Sequence, residues 1–184
     1  MKTVNLTVNG RKIAVDGGAT VLDAAKKAGV SIPTLCHHKA LSSYGACRLC
    51  IVEAVAHGRK RIVTSCNFPV SEGLEVQTES EEIKKLRKIS MELIIARCPN
   101  VKEMKALAGE LGVETTRFRK KDNDCILCGL CVRMCDERMG RSAISFVGRG
   151  LKREVKSPFG VPAEVCQVCG ACDFVCPTGK IVFR

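Results

Sequence analysis

The sequence predicts an α+β protein of three parts, which span residues 1–78, 79–122 and 123–184. In the first part, two tight-turn signals between alternating runs predict β-hairpins. A helical apolar period predicts helices in the second part, and a repeated cysteine pattern fills the third. The chain has 13 cysteines but no Trp, one Tyr and six Phe, so its small cores need support beyond aromatic packing.

The first 30 residues predict a hairpin followed by a helix. Asn9-Gly10 separates two runs of alternating polar and apolar residues, which is a strong short-range hairpin signal. Thr20 lies three residues before Asp23, the spacing of a capping box, and Gly29 ends the helical pattern. A β-grasp ferredoxin begins with this order of elements.

A second hairpin is predicted in the segment CRLCIVEAVAHGRKRIVTSC, with its turn at His57-Gly58. Cys47 and Cys50 lie at the start of this hairpin, and Cys66 lies just after its end. The hairpin therefore brings cysteines that are distant in sequence to the same end of the first part.

The second part predicts two amphipathic helices. Thr78 and Glu81 have capping-box spacing before the first, and Asn100 and Glu103 have it before the second, which ends at Gly112. The expected apolar stripe of the first helix is Ile83, Leu86, Ile89, Leu93 and Ile94. The basic stretch RFRKKDND that follows is expected to be a linker.

The third part contains the same cysteine motif twice. CILCGLCVRMC at 125–135 recurs 41 residues later as CQVCGACDFVC, with Gly129 repeated as Gly170. A short loop with this spacing wraps three thiolates around one face of an iron–sulfur cube, and the glycine lets the backbone approach the sulfides. The fourth cysteine is poorly placed to close the same cube, so each copy is expected to complete the other.

The third part is therefore predicted to be a bacterial-type 2[4Fe-4S] ferredoxin domain, in which the ligand sets are crossed between the two copies. One [4Fe-4S] cluster is expected on Cys125, Cys128, Cys131 and Cys176, and the other on Cys166, Cys169, Cys172 and Cys135. Pro177 fits a chain that turns after its last ligand, whereas Asp136 at the equivalent place suggests that the first copy continues as a helix through VRMCDERMG. Two four-cysteine zinc sites are the alternative, but those normally use two C-x2-C knuckles separated by a longer loop.

The remaining cysteines of the first part form a C-x10-C-x2-C-x15-C pattern, made by Cys36, Cys47, Cys50 and Cys66. The expected occupant is a [2Fe-2S] cluster, with structural thiols as the alternative. Four and eight ligands leave Cys98, which is expected to be a buried structural thiol. His37 and His38 follow a ligand cysteine and either tune its cluster by hydrogen bonding or are ordinary loop residues.

The segments GVSIPTLCHHKALSSYGACRLCIVE, VTSC, SEGLEVQT, CILCGLCVRMCDE and CGACDFVCPTG together resemble one family. It comprises the iron–sulfur segment of the large subunit of respiratory complex I and the diaphorase iron–sulfur subunit of bidirectional NiFe hydrogenases. The resemblance implies a [2Fe-2S] cluster at the first set. Fuller members carry a further cluster on one His and three Cys, but the matching region here offers only Cys98, and no His follows His57.

The resemblance also implies a function and partners. We expect an electron relay with no catalytic site of its own, placed between an NADH-oxidising flavoprotein and a catalytic subunit such as a hydrogenase or a formate or aldehyde dehydrogenase, or a ferredoxin-linked module. The alternatives are a freestanding multi-cluster ferredoxin and a zinc-stabilised nucleic-acid-binding protein. The sequence shows no P-loop and no G-x-G-x-x-G motif.

Charge and targeting signals bear on these alternatives. The formal charge of +11 would favour a nucleic-acid partner, but three clusters of about −2 each would lower it to about +5. No secretory signal or membrane span is predicted, so we expect a cytoplasmic protein with reduced cysteines. Oxygen sensitivity and an anaerobic source are expected from the chemistry of exposed clusters.

Overall fold

The structure is a computed structural model that describes residues 2–121 and 123–181. One residue of the predicted linker and the last three residues of the third predicted part lie outside this range. The first part forms β1 (Thr3–Val8), β2 (Arg11–Asp16), α1 (Val21–Lys27), β3 (Ile51–Ala56), β4 (Arg59–Thr64) and β5 (Leu74–Gln77). These strands make a five-stranded sheet in the order β2-β1-β5-β3-β4, in which β1 and β5 are parallel.

Both predicted hairpins are present. Asn9 and Gly10 have φ values of 48° and 80°, and His57 and Gly58 have values of 51° and 71°. Two successive positive φ values are what a two-residue type I′ hairpin turn requires. The hairpins pair β1 with β2 and β3 with β4, each over six residue pairs.

The predicted capping box of α1 is also confirmed. The Thr20 hydroxyl oxygen accepts a hydrogen bond from the Asp23 amide at 3.2 Å, and the Asp23 carboxylate accepts one from the Thr20 amide at 3.0 Å. Gly29, with φ of 73°, ends the helix as predicted. The buried side of α1 packs on the sheet in a core that includes Cys50 and Cys66.

The two connecting helices form, but their predicted caps were wrong. Helix α2 (Glu81–Arg97) is capped by Ser80, whose hydroxyl accepts from Ile83 N, because Thr78 is already bonded to the side chain of Asn9. Helix α3 (Lys102–Glu110) has Val101 at its N-cap and no side-chain capping bond. A cap residue bonded elsewhere in the fold cannot also satisfy a helix N-terminus.

The predicted apolar stripe of α2 was partly wrong. Leu93 is 50% exposed, whereas Met91 and Arg87 are buried. The Arg87 guanidinium donates to the backbone oxygen of Ile51 at 2.9 Å and to Glu79 at 2.9 Å. The buried line of α2 therefore contains one arginine, whose donors hold the helix against β3.

The third part consists of short elements around the two cysteine motifs: α4 (Leu130–Arg133), β6 (Ser145–Val147), β7 (Glu154–Lys156) and α5 (Ala171–Phe174). A π-helical turn at Met134–Arg138 extends α4, as the absence of proline predicts, whereas the chain turns at Pro177 after α5. No helix in the described ranges is long and apolar enough to cross a bilayer.

A second hydrophobic core joins all three parts of the chain. It combines Cys36 and Leu49 from the first part, Met91 and Cys98 from the connector, and Leu130 from the third part. The predicted α+β fold is confirmed, and the division into three parts stays a prediction.

We expect Met91→Ala to lower the free energy of unfolding by about 2–5 kcal/mol, because Met91 is fully buried in the second core. Leu93→Ala, two residues along the same helix, should change it by no more than about 0.5 kcal/mol. Anaerobic urea unfolding followed by circular dichroism measures both. Equal losses for the two variants would contradict the packing of α2 described here.

Candidate metal centres

The N-terminal cysteine set lies where loops meet the end of the β3–β4 hairpin. Cys36 lies in the loop after α1, Cys47 and Cys50 precede β3, and Cys66 follows β4. All four side chains are buried, with exposed fractions of 9% or less. The Ser65 amide donates a hydrogen bond to the Cys50 backbone oxygen at 3.0 Å. The hydrogen bonds of the hairpin therefore hold Cys50 and Cys66 close together.

Within this set the thiols stand as two pairs. Hydrogen bonds from the thiol and the amide of Cys47 lower the pKa of Cys36 to about 6, and the Cys47 N to Cys36 Sγ distance is 3.4 Å. A hydrogen bond from the Cys66 thiol likewise lowers the pKa of Cys50 to about 6. The pKa of Cys66 is raised, first by that hydrogen bond and also by the charges of Cys36 and Cys47, so the two pairs are close together. Two adjacent thiol pairs fit a [2Fe-2S] cluster, whose four cysteine ligands divide between two irons.

The eight cysteines of the repeated motif line one cavity of about 720 Å³. Within the described residues, no three His, Cys, Asp or Glu side chains are arranged as a single metal ion requires. A cluster requires a wider arrangement, because its thiolates bind separate irons. A common cavity with all eight thiols at its wall suits two clusters side by side.

The fourth cysteine of each copy lies with the other copy. Burial, with the charges of Cys176 and Cys125, raises the pKa of Cys128 to about 11. The pKa of Cys131 is raised to about 12 by burial and by the charges of Cys128, Cys125 and Cys176. Burial raises the pKa of Cys172, with a contribution from Cys135. Cys176 is thus close enough to the first motif, and Cys135 to the second, to affect their thiols, while the crossed ligand sets themselves stay a prediction.

Both motifs share a left-handed backbone that the spacing alone did not reveal. Leu127 and Val168, at equivalent places, have φ values of 55° and 52°, and Gly129 and Gly170 have values of 72° and 73°. Positive φ is unfavourable for a β-branched residue such as Val168, and such strain is concentrated at functional sites. The backbone then donates amides to the thiols, as Leu130 N does to Cys128 and Asp173 N does to Cys172.

Arg133 links the N-terminal set to the first motif. Its guanidinium donates to the Cys36 backbone oxygen at 2.7 Å and to the Ser42 backbone oxygen, and it lies 5.3 Å from the centre of the Tyr44 ring. Its charge contributes to the lowered pKa of Cys36, after the hydrogen bonds from Cys47 and Ala46. Sequence reasoning missed this residue, since its partners lie 91 and 97 positions away.

The helical continuation after Cys135 adds a second link. Glu137 accepts hydrogen bonds from the Ser42 amide at 2.7 Å and the Ser42 hydroxyl at 2.5 Å, and these bonds lower the pKa of its carboxylate. Asp136 therefore replaces the proline of the second copy because the chain must continue as a helix to place Glu137 against this loop.

The remaining candidates occupy supporting positions. His38 Nδ1 accepts from the Ala40 amide at 3.2 Å, which shapes the ligand loop, and burial lowers the pKa of His37. Cys98 is fully buried in the second core, as expected for a structural thiol. A cluster-tuning role for either histidine stays a prediction.

Comparisons with known proteins agree with this geometry. Residues 1–81 match a family described as a 2Fe-2S iron-sulfur cluster binding domain, and residues 124–180 match a 4Fe-4S dicluster domain. A chain in the crystal structure of an NAD⁺-reducing [NiFe]-hydrogenase in the H2-reduced state has a TM-score of 0.81 and 30% identity, covering 96% of this chain and 85% of that one. The chain belongs to the iron–sulfur electron-transfer family shared by complex I and NAD-linked hydrogenases.

Other members of this family are longer proteins. The chain is 35% identical to the NADPH-Fe(3+) oxidoreductase subunit alpha of Geobacter sulfurreducens and covers 24% of it. It is 32% identical to the NADP-reducing hydrogenase subunit HndD of Solidesulfovibrio fructosivorans, covering 36%, and 31% identical to an NADH-quinone oxidoreductase subunit from Rhizobium meliloti, covering 24%. Each match covers 97% or more of this chain, which therefore spans about a quarter to a third of these relatives.

We expect Arg133→Met to lower the free energy of unfolding by about 2 kcal/mol or more, because the carbonyls of Cys36 and Ser42 lose a charged donor. Arg138→Met removes the same charge from an exposed position on the next turn and should cost no more than about 0.5 kcal/mol. Anaerobic urea unfolding compares the two variants. If the two variants had the same free energy of unfolding, the hydrogen bonds of Arg133 to the loop of Cys36 would not contribute to stability.

Proposed function

We propose that this chain is an electron-relay subunit of a multi-subunit oxidoreductase. The observation that carries the proposal is the serial arrangement of three thiol sets. Arg133 joins the loop of Cys36 to the first motif, and Cys36 contributes to the charge environment of Cys128. Cys176 and Cys135 then join the first motif to the second. An electron that enters at one end would have an ordered path through the protein.

Three groups would be held along this path. We assign a [2Fe-2S] cluster to Cys36, Cys47, Cys50 and Cys66. We assign one [4Fe-4S] cluster to Cys125, Cys128, Cys131 and Cys176, and a second to Cys166, Cys169, Cys172 and Cys135. Such clusters, when bound, accept and release single electrons.

The chain's own contribution is binding, orientation and exclusion of water. The N-terminal set and Cys128 and Cys131 are buried, which protects them from solvent. Backbone amides donate to the sulfur atoms, as Ala143 N does to Cys135 Sγ at 3.3 Å, and such donors stabilise the charged form of a thiolate. Arg133 places a positive charge beside the N-terminal set, where it favours an added electron.

We further propose that the partners are an NAD(H)-linked flavoprotein and a catalytic redox subunit such as a hydrogenase or a formate or aldehyde dehydrogenase, or a ferredoxin-linked module. The names of the relatives support this assignment, since they include NADP-reducing and NAD⁺-reducing hydrogenases and an NADH-quinone oxidoreductase. A cytoplasmic location is proposed because that compartment keeps thiols reduced.

The ligand assignment predicts about ten irons and ten labile sulfides per chain, and Cys98→Ser should leave both counts unchanged. The double variant Cys135→Ser/Cys166→Ser removes two ligands of one proposed cluster, so about six irons should remain. Cys135→Ser/Cys131→Ser removes one ligand from each [4Fe-4S] cluster and should damage both. Iron and sulfide analysis with electron paramagnetic resonance (EPR) of the reduced protein distinguishes the two. The reverse result would show that each motif holds its own cluster.

The relay function is tested by tagging the chain in its native source and purifying it anaerobically. We expect a flavoprotein and a catalytic subunit in fixed ratio, together with NADH-dependent dye reduction. A chain that purifies alone with its clusters intact would instead be a freestanding ferredoxin-type carrier. A colourless chain with stoichiometric zinc would contradict both electron-transfer functions.

A further inference from the structure

The two copies of the cysteine motif are alike in backbone but differ in what covers them. A Cβ atom at Gly129 would lie 3.2 Å from the Tyr44 ring and 3.3 Å from the Phe146 ring, so the first copy is packed beneath these side chains. A Cβ atom at Gly170 would meet nothing within 4 Å. The same face of the motif is therefore covered in the first copy and open in the second.

Other equivalent positions show the same difference. Cys128 is 7% exposed, whereas Cys169 is exposed. Arg133 points into the contact with the loop of Cys36, whereas Phe174, which is 41 residues later, is 87% exposed. In the first copy this face receives the ligand loop of another redox site. In the second copy nothing among the described residues occupies the equivalent place.

Exposed apolar side chains are concentrated in the segment of the chain that contains the open copy. Of the ten large hydrophobic side chains that are exposed in the described ranges, six lie within residues 151–174. They are Leu151, Phe159, Val161, Val165, Val168 and Phe174, and the Phe159 side chain is fully exposed. A monomeric protein rarely exposes so many large apolar groups in one region unless that region binds something.

The neighbouring β6–β7 segment is strongly basic. Arg149, Lys152, Arg153 and Lys156 are exposed there, with Glu154 as the acidic residue among them. Lys152, Arg153 and Lys156 line the cavity together with residues of both motifs, so their positive charge lies near the second copy as well as the first. Apolar groups flanked by positive charge are complementary to a partner with an apolar centre and an acidic rim.

We propose that the open face of the second motif, with the six apolar side chains of residues 151–174, is the docking surface for an acidic redox protein. The internal repeat supports this occupant, because the equivalent face of the first copy already contacts the loop of a redox site. A second copy of this chain fits poorly, since both surfaces would be basic. The proposal rests on the relay function and names the end at which electrons pass to or from a partner.

The test uses the full chain with its clusters, reduced and freed of excess reductant. Stopped-flow mixing measures electron transfer to an acidic haem protein, cytochrome b5, and to a basic one, cytochrome c. We expect rapid transfer to the acidic acceptor at low salt, slowed by added salt. Phe159→Asp and Phe174→Asp should each slow it by about tenfold through like-charge repulsion, whereas Leu93→Asp on α2 should have no effect.

The Phe159→Asp variant keeps the test independent of folding defects. Asp tolerates the left-handed backbone at Phe159, where φ is 56°, so Phe159→Asp should retain the wild-type iron content and EPR spectrum. If clusters are absent even from the wild type, the relay function fails. If the clusters are intact but transfer is insensitive to both variants, or is faster to the basic acceptor, the docking surface is wrong. A concentration-dependent dimer that Phe174→Asp dissociates would assign the face to a second copy and overturn the proposal.

Discussion

The close approach of the two cysteine motifs is the constraint on which the rest of this structure depends. The charge of Cys176 acts on the first motif and that of Cys135 on the second, and in the proposed exchange of ligands each copy completes the other. The exchange closes a region that has few apolar residues of its own. Cysteines also belong to the two hydrophobic cores. Cys50 and Cys66 pack in the first core, and Cys36 and Cys128 pack in the second. In a chain with so few aromatic residues, several of the proposed cluster ligands are also core residues.

Continuity of the second core fixes the spacing of the thiol sets. Met91 and Leu130 come from different parts of the chain, yet they pack in the same cluster as Cys36. Arg133 adds charged hydrogen bonds to this packing. An electron relay needs fixed distances between its clusters, and a densely packed core resists the small displacements that would change these distances.

Local features of the fold could be predicted because their causes lie close in sequence. The hairpin turns at Asn9-Gly10 and His57-Gly58 follow from residues that accept positive φ, and the capping box of α1 involves neighbours three residues apart. The cysteine repeat likewise carries its geometry in its spacing.

Features set by distant contacts could not be predicted in the same way. Thr78 does not cap α2 because Asn9 binds it from β1's turn. Helical periodicity alone could not choose between Leu93 and Met91, since that choice depends on where α3 and the cysteine loops lie. The left-handed Leu127 and Val168 look like ordinary apolar residues in the sequence, and only their recurrence at the same place in both copies hints at a shared role.

The contacts of Arg133 and Glu137 also affect the order in which parts of the chain can fold during synthesis. The loop of Cys36 and Ser42 is held by side chains that leave the ribosome more than 90 residues later. The first site to be translated is thus not the first to reach its final shape. Until the first repeated motif has emerged and folded, the loop that carries Cys36 lacks the hydrogen bonds of Arg133 and Glu137.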